Sequence, residues 1–364
     1  MQSKPSEPTM LQVNTAQAGS SGEMPKLAAA ANTLKYHDDR VLMLDRRRLP
    51  DEEVWQEYTT YEEVAQAIEQ MVIQGAGAVS YAAGFGLALA LAGSRGHKGE
   101  EFGPAVQQAA SRLRATRPTG EQLAPLVDVL EKMAVEARSA GQDPVATVVR
   151  EVEARMGRAD AIARKCGQFA ADLLDDGDAI LTHCYPGGAL LYMLDHARNQ
   201  GKHITVYSTE TRPYLQGARL TAACTSQMGF DTTLITDNMP AFLMYQGKIA
   251  KFVTACDRIS LDGHVANKVG TYQYAICCNY HRIPFIVLGY AGPRAKSPDS
   301  KSIEVEERDP EEVLYCRGVR TAAQGVKGYY PAFDITPPTL VTAIVTDKGI
   351  LSPLQIKTIY GGKV

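Results

Sequence analysis

The sequence predicts a mixed α/β protein, with a mainly helical N-terminal part followed by a part built on a parallel sheet. Three observations predict it. From Ala179 onward, short apolar, β-branched runs alternate with helix-like stretches, the pattern of βαβ units. Before that point, apolar residues recur at helical spacing, as in Val64, Ala67, Ile68, Met71 and Val72. Polar clusters directly follow the strand-like runs, and parallel sheets hold their ligand crevice at the carboxyl ends of strands.

Composition narrows the classes. A chain of 364 residues is long enough for two domains and a large core. Its 45% hydrophobic content is ordinary for a globular protein, and a net charge of -3 gives no global field for nucleic acid. No apolar run is expected to reach the roughly 18 residues of a membrane span, and the N-terminus lacks the pattern of a secretory signal. The 7 cysteines are scattered without a Cys-x-x-Cys pair, and Cys277 adjoins Cys278. That favours reduced thiols in a cytoplasmic setting over disulfides or a structural zinc site.

Residues 1–30 are rich in Ser, Gln, Ala, Pro and Gly and read as a flexible tail. Val41 to Leu44 reads as a strand of a small hairpin, and Leu49-Pro50-Asp51 as a turn. Thr60 with Glu63 makes a capping box, opening a helix expected to stop near Gln74-Gly75. Further helices are expected at 78–92, 105–115, 120–139 and 143–175, the last linking two domains. Strands follow at 179–182, 204–207, 232–235, 252–254 and 284–288, separated by helices at 187–199, 217–228, 238–246 and 266–280. Phe333 to Thr336 reads as a strand end, and 338–346 as a Pro-started helix. The domain plan is thus 1–30 tail, 31–150 helical domain, 151–178 linking helix and 179–364 sheet domain.

The most informative stretch is Thr209 to Leu220, Thr-Glu-Thr-Arg-Pro-Tyr-Leu-Gln-Gly-Ala-Arg-Leu. Around it lie Ile180-Leu-Thr-His-Cys184, Asp237-Asn238-Met239, Ala255-Cys-Asp-Arg-Ile259 and Val265 to Gln273. Cys184 follows a strand and precedes a helix, where the macrodipole can lower a thiol pKa, although residue type alone equally allows a structural cysteine. Asp257 sits at a second strand end, where a cap or an ion pair with Arg258 is the plainer alternative. Arg117, Arg212, Gln216, Asn267 and Lys268 are anion-binding types that also serve as ordinary surface or domain contacts. Gly75-Ala-Gly77-Ala-Val-Ser80 fails as a dinucleotide fingerprint, because Ser80 replaces the third glycine and a helix precedes it. A glycine turn opening a helix can still hold a phosphate on backbone N–H groups.

Together these residues resemble the methylthioribose-1-phosphate isomerase family, part of a larger group with the regulatory subunits of the translation-initiation guanine-nucleotide exchange factor. The resemblance runs from about Leu34 onward and is most specific at Glu210–Leu220, Asp237–Met239, Val265–Gln273 and Pro331–Pro337. It implies a helical N-terminal domain with a small β element, a Rossmann-like C-terminal domain, and a homodimer. It implies Cys184 and Asp257 as the catalytic pair, and Gly75, Ala76, Arg117, Gln216, Asn267 and Lys268 as sugar-phosphate contacts, with no metal and no other cofactor. The chain departs from the family pattern at Gln74, where an arginine is usual, and at Tyr185 to Gly188, Ala255-Cys256 and Gly120 to Gln122.

The implied function is an aldose–ketose isomerase of methionine salvage, converting 5-methylthioribose 1-phosphate to 5-methylthioribulose 1-phosphate. Its partner is a small sugar phosphate, with no nucleic acid and no membrane. The alternatives are an isomerase of another sugar 1-phosphate (of 5-deoxyribose type, or ribose 1,5-bisphosphate) and a non-catalytic sugar-phosphate-sensing subunit. Loss of the arginine at position 74 argues against a substrate with an extra phosphate, and retention of both Cys184 and Asp257 argues against a non-catalytic role.

Overall fold

The structure, a computed structural model, describes residues 9–15, 22–96, 101–117, 122–293 and 297–363. They form two compact units. The first contains Thr9–Thr15 and residues 29–160, and the second contains residues 22–28 and the chain from Ala161 onward.

The first unit packs an antiparallel sheet with helices. Its strands lie in the order Thr9–Thr15, Glu52–Tyr58, Arg40–Leu44, Leu34–His37. Residues 9–15, assigned above to a flexible tail, therefore form an edge strand on Glu52–Tyr58; the Leu, Val and Thr in Thr9–Thr15 suit a ladder better than the flanking Ser and Gly. The capping box at Thr60 forms as expected, Glu63 N donating to Thr60 Oγ1 at 3.2 Å and Thr60 N to the Glu63 carboxylate at 3.0 Å. The helix Tyr61–Glu69 ends before Gln74-Gly75, however. Met71 turns left-handed, with φ 61°, and Val72 N donates back to Ala67 O. Val72 and Ile73 stay buried after the turn, so the apolar spacing outlasts the helix.

Ala76–Gly93 follows as an uncharged helix of 18 residues, which corrects the expectation that no apolar run would reach spanning length. It is a core helix, 72% buried within the protein. Gly84 allows its close approach to neighbours, since a Cβ there would lie 2.6 Å from Val152 and 2.9 Å from Leu130. Helices Phe102–Ala115 and Leu123–Ser139 and the first part of Pro144–Ala171 complete the layer, with Leu113, Val127, Leu130 and Val148 in one core with Ile68, Phe85 and Leu87.

The second unit carries a seven-stranded sheet. From Ala179–Thr182 the chain winds outward through Thr205–Thr209 to Asp231–Ile235. It then returns to the other side of the first strand with Lys251–Ala255 and winds outward through Phe285–Tyr290 and Ala343–Thr346. These neighbours are parallel, and only the edge strand Gly349–Leu351 is antiparallel. The winding direction reverses between Ala179–Thr182 and Lys251–Ala255, which makes their carboxyl ends the switch point where open α/β sheets bind ligands. Phe252 stacks on Phe285 at 4.5 Å under this point. Burying each such ring contributes about 1.5–3 kcal/mol.

Three expected helices differ. Residues 266–280 divide into a strand, Val265–Lys268, and a helix, Thr271–His281, because 265–268 pair with Phe333–Thr336 and Gly270 breaks the chain direction at φ 108°. Residues 338–346 form a short turn, Pro338–Leu340, and then a strand, Ala343–Thr346, whose β-branched residues join the sheet beside Phe285–Tyr290. The stretch 217–228 begins as a π turn, Gly217–Thr221, before Ala222–Gln227 becomes helical.

Candidate active site

Cys184 stands just past Ala179–Thr182, and Asp257 just past Lys251–Ala255, so both lie at the switch point of the second unit. Thr254 Oγ1 donates to His183 O at 2.9 Å and ties the two strand ends together. Asp257 N donates to Ala266 O at 2.9 Å, fastening the Asp257 turn to the strand that bears Asn267 and Lys268.

The peptide of Cys184 is held at both ends by threonines of the 209–221 segment. Cys184 N donates to Thr211 Oγ1 at 2.9 Å, and Thr221 Oγ1 donates to Cys184 O at 2.5 Å. Both Cys184 (φ 62°) and Thr211 (φ 64°) sit in the left-handed region. Such a conformation costs on the order of 1–3 kcal/mol for each non-glycine residue and survives where the surroundings over-determine it. Asp237 supplies part of that constraint, its carboxylate accepting from Thr211 N at 2.9 Å and from Arg212 N at 2.7 Å.

His183, the residue before Cys184, is buried. Its Nε2 lies 3.0 Å from Val269 O, so Nε2 carries the proton, and Nδ1 accepts from Thr209 Oγ1 at 2.6 Å. Burial pushes its pKa down to about 4, and the imidazole stays neutral as a brace rather than serving as a proton partner.

Lys268 is only 6% exposed. Its ammonium donates to Tyr330 Oη at 3.3 Å and lies over the rings of Tyr330 and Phe333, at 5.4 and 5.0 Å. Burial lowers its pKa while Cys184 and Asp257 act to raise it, and burial raises the Cys184 thiol while Lys268 acts to lower it. The three groups therefore sit in one another's field. The thiol pKa is raised overall, against the lowering expected from a helix start; the helix Gly188–Asn199 begins beyond the Tyr185-Pro186-Gly187 turn, and desolvation wins. Asp257 is exposed.

Asn267 is buried and turns the other way from Lys268, its amide donating to Thr271 Oγ1 at 2.9 Å. Gln216 lies one residue before the π turn, and its buried Oε1 accepts no hydrogen bond among the described residues. A buried orphan acceptor of this kind calls for a donor, such as a sugar hydroxyl. A cavity of about 210 Å³, lined by Arg212, Pro213, Val269, Val313, Tyr329, Tyr330 and Pro331, opens beside the Lys268 partner Tyr330.

Gly75, Ala76 and Arg117 belong to the first unit. Gly75 (φ 89°) is the N-cap of Ala76–Gly93, and both Gly75 and Ala76 are exposed at that helix start. Arg117 reaches the same turn, its Nη1 3.3 Å from Met71 Sδ, while Gln74 Nε2 donates to Met71 O at 3.1 Å. Sequence reasoning missed Arg46. It is buried, donates through Nη1 to Gln74 O at 2.6 Å, and lies 3.9 Å from where a Gly75 Cβ would be. The Arg46-Arg47-Arg48 run was the available signal, but three consecutive arginines beside a turn read as solvated charge. Asp334 was missed too. Its half-buried carboxylate accepts from Gly270 N at 2.7 Å and Tyr272 N at 3.1 Å, and burial raises its pKa to about 6.

Comparison with known proteins follows the same lines. Residues 72–353 match the model of the Initiation factor 2 subunit family. The methylthioribose-1-phosphate isomerase of Syntrophotalea carbinolica is 40% identical over 333 residues, covering 87% of this chain and 95% of its own length. That of Thermotoga petrophila is 39% identical, covering 90% and 98%. Among solved structures, 5-methylthioribose 1-phosphate isomerase from Pyrococcus horikoshii OT3 superposes with a TM-score of 0.78 at 35% identity, covering 90% of this chain and 94% of that one. The translation initiation factor eIF-2B subunit delta from A. fulgidus gives 0.74 at 34%, covering 89% and 96%.

Proposed function

The chain belongs to the Initiation factor 2 subunit family, and from that premise we propose that it converts 5-methylthioribose 1-phosphate to 5-methylthioribulose 1-phosphate, as an aldose–ketose isomerase of methionine salvage. The observation that carries this reading is the siting of Cys184 and Asp257, with Lys268 in their field, at the switch point of a Rossmann-like sheet. Relatives about 40% identical over most of the chain bear the isomerase name.

A 1-phosphorylated aldose is locked as a ring. Asp257 protonates the ring oxygen as its bond to C1 breaks, leaving an oxocarbenium carbon. Cys184, whose thiolate is the minority form because desolvation outweighs the pull of Lys268, takes the proton from C2 in that form to give an enol phosphate and returns it to C1. The C2 hydroxyl proton goes back to the Asp257 carboxylate, so the enzyme ends as it began. A hydride shift from C2 to C1, with the pair only polarising the substrate, is the competing route. Gln216, Asn267 and Lys268 serve the sugar phosphate in this reading, as do Gly75, Ala76 and Arg117 through helix-start N–H groups and a guanidinium. Arg46, under the Gln74 carbonyl, takes over the charge of the arginine missing at position 74.

The protein acts in the cytoplasm as a homodimer. Met239, Phe242 and Tyr245 near or on one helix, and Tyr272, Ile276 and Tyr280 on the next, expose a run of large apolar side chains suited to a second copy. The family likeness to an eIF-2B subunit keeps a non-catalytic sensor as the second reading. A coupled assay of the purified protein with methylthioribose 1-phosphate, 5-deoxyribose 1-phosphate and ribose 1,5-bisphosphate separates these. Turnover of the first above the others is expected; turnover of another alone sinks the substrate assignment, and turnover of none favours the sensor.

A further inference from the structure

The 209–221 segment stands out in the sequence, yet only Gln216 in it has a substrate-facing role. Its buried threonines have another. Thr209, Thr211 and Thr221 are all 0% exposed. Thr209 meets His183, Thr211 receives the Cys184 N–H, and Thr221 donates to the Cys184 carbonyl. Beneath them Asp237 clamps two successive backbone N–H groups, those of Thr211 and Arg212. The clamped residue is itself β-branched and left-handed, a conformation that reverts unless it is held. The hydroxyl that seats Cys184 is thus fixed by a carboxylate from the end of the Asp231–Ile235 strand, across the Thr205–Thr209 strand from the thiol's own.

We propose that Asp237 is a positioning residue for Cys184, acting through Thr211, and that the chain Asp237–Thr211–Cys184 holds the thiol in place for catalysis. The proposal rests on the isomerase reading for its kinetic consequences but not for its chemical ones, because the seating of the thiol can be followed by alkylation.

The test is a double-mutant cycle in the full-length protein, with Asp237→Asn, Thr211→Val and the two combined. Two readouts are taken: kcat and KM with methylthioribose 1-phosphate, and the rate of Cys184 alkylation by iodoacetamide against pH, followed by peptide mass spectrometry. Each single variant should lower kcat about 10- to 100-fold with KM changed less than about 3-fold, the range of a misplaced general base. The alkylation profile should change in both. The combined variant should lose little beyond the worse single one, because both break one chain. Thr211→Ser, which keeps the hydroxyl, should stay near wild type.

Additive losses, or an unchanged profile in Thr211→Val, would overturn the proposal. If Asp237→Asn fails to fold by circular dichroism, the valine and serine variants at position 211 decide it alone: equal kcat and equal alkylation in the two contradicts the hydroxyl's role. If wild type turns over no methylthioribose 1-phosphate, the substrate reading fails while the alkylation cycle still tests the positioning chain.

Discussion

The ends of two adjacent parallel strands carry the candidate residues Cys184 and Asp257, and they are built in opposite ways. At Cys184 the backbone is left-handed, bonded at both N–H and carbonyl, and preceded by a buried neutral histidine. At Asp257 the side chain is exposed, and the backbone N–H is tied to Ala266 of the neighbouring small sheet. In the proposed reaction, a thiol that takes a proton from one carbon and delivers it to the next needs a fixed position, and a carboxylic acid that protonates the ring oxygen needs access to the sugar. The contrast extends to what holds each end. The Cys184 side is braced by hydroxyls and by an imidazole that stays neutral down to about pH 4. The Asp257 side leans on the strand Val265–Lys268, whose partner residue Asp334 titrates near pH 6.

The largest effect is expected from breaking the Cys184 brace at its tightest point. A Cβ on Gly217 would sit 1.8 Å from Thr209 O and 2.8 Å from Thr211 Oγ1. Gly217→Ala should therefore destabilise the protein by about 4 kcal/mol or more, lowering the melting temperature by roughly 10 °C in a thermal scan. A melting curve that overlays wild type would mean the segment is not the rigid support described here.

A smaller effect should separate the two ends by pH. Burial raises the folded pKa of Asp334 from 3.8 to about 6, so the protonated form is favoured in the folded state. Its stabilising contribution is full below the unfolded value and is lost as pH rises through about 6. The loss amounts to up to about 3 kcal/mol. Asp334→Asn should abolish this falling component of the stability-against-pH curve between roughly pH 4 and 6. His183, whose pKa is lowered, acts oppositely, losing stability as pH falls from 6.5 toward about 4. A curve unchanged by Asp334→Asn would mean its carboxyl is not desolvated.

The smallest effect concerns the glycine turn of the first unit. Arg46→Gln should weaken methylthioribose 1-phosphate binding by about 10- to 150-fold, the worth of a charge-assisted hydrogen bond. Gln74→Arg in that background should recover part of it. An unchanged KM in Arg46→Gln removes Arg46 from the site, and failure of the second substitution places the anion away from position 74.

How much of this was legible follows from the period of the signal. The strand–helix alternation after Ala179 could be read because the central strands Ala179–Thr182, Lys251–Ala255 and Phe285–Tyr290 are short, largely apolar and buried runs between polar ends, as parallel strands covered on both faces must be. The switch-point positions of Cys184 and Asp257 came with it. The strand Val265–Lys268 was not legible, because Asn267 and Lys268 take their pairing from Asp334 and Phe333, far along the chain. The raised thiol pKa was hidden for the same reason, since desolvation depends on packing that local sequence does not encode. Arg46 escaped because its partner, the Gln74 carbonyl, is a backbone group reached across a fold.

The measurement that bears most directly on the central claim is proton NMR of methylthioribose 1-phosphate incubated with wild type, Cys184→Ser and Asp257→Asn. The account predicts that wild type consumes the anomeric proton signal and builds the C1 methylene of the ketose 1-phosphate. Each variant should remain folded and slow the conversion by roughly 100- to 10,000-fold, the worth of a positioned acid or base. A wild-type protein that leaves the sugar phosphate unchanged, or a variant that converts it at the wild-type rate, would contradict it.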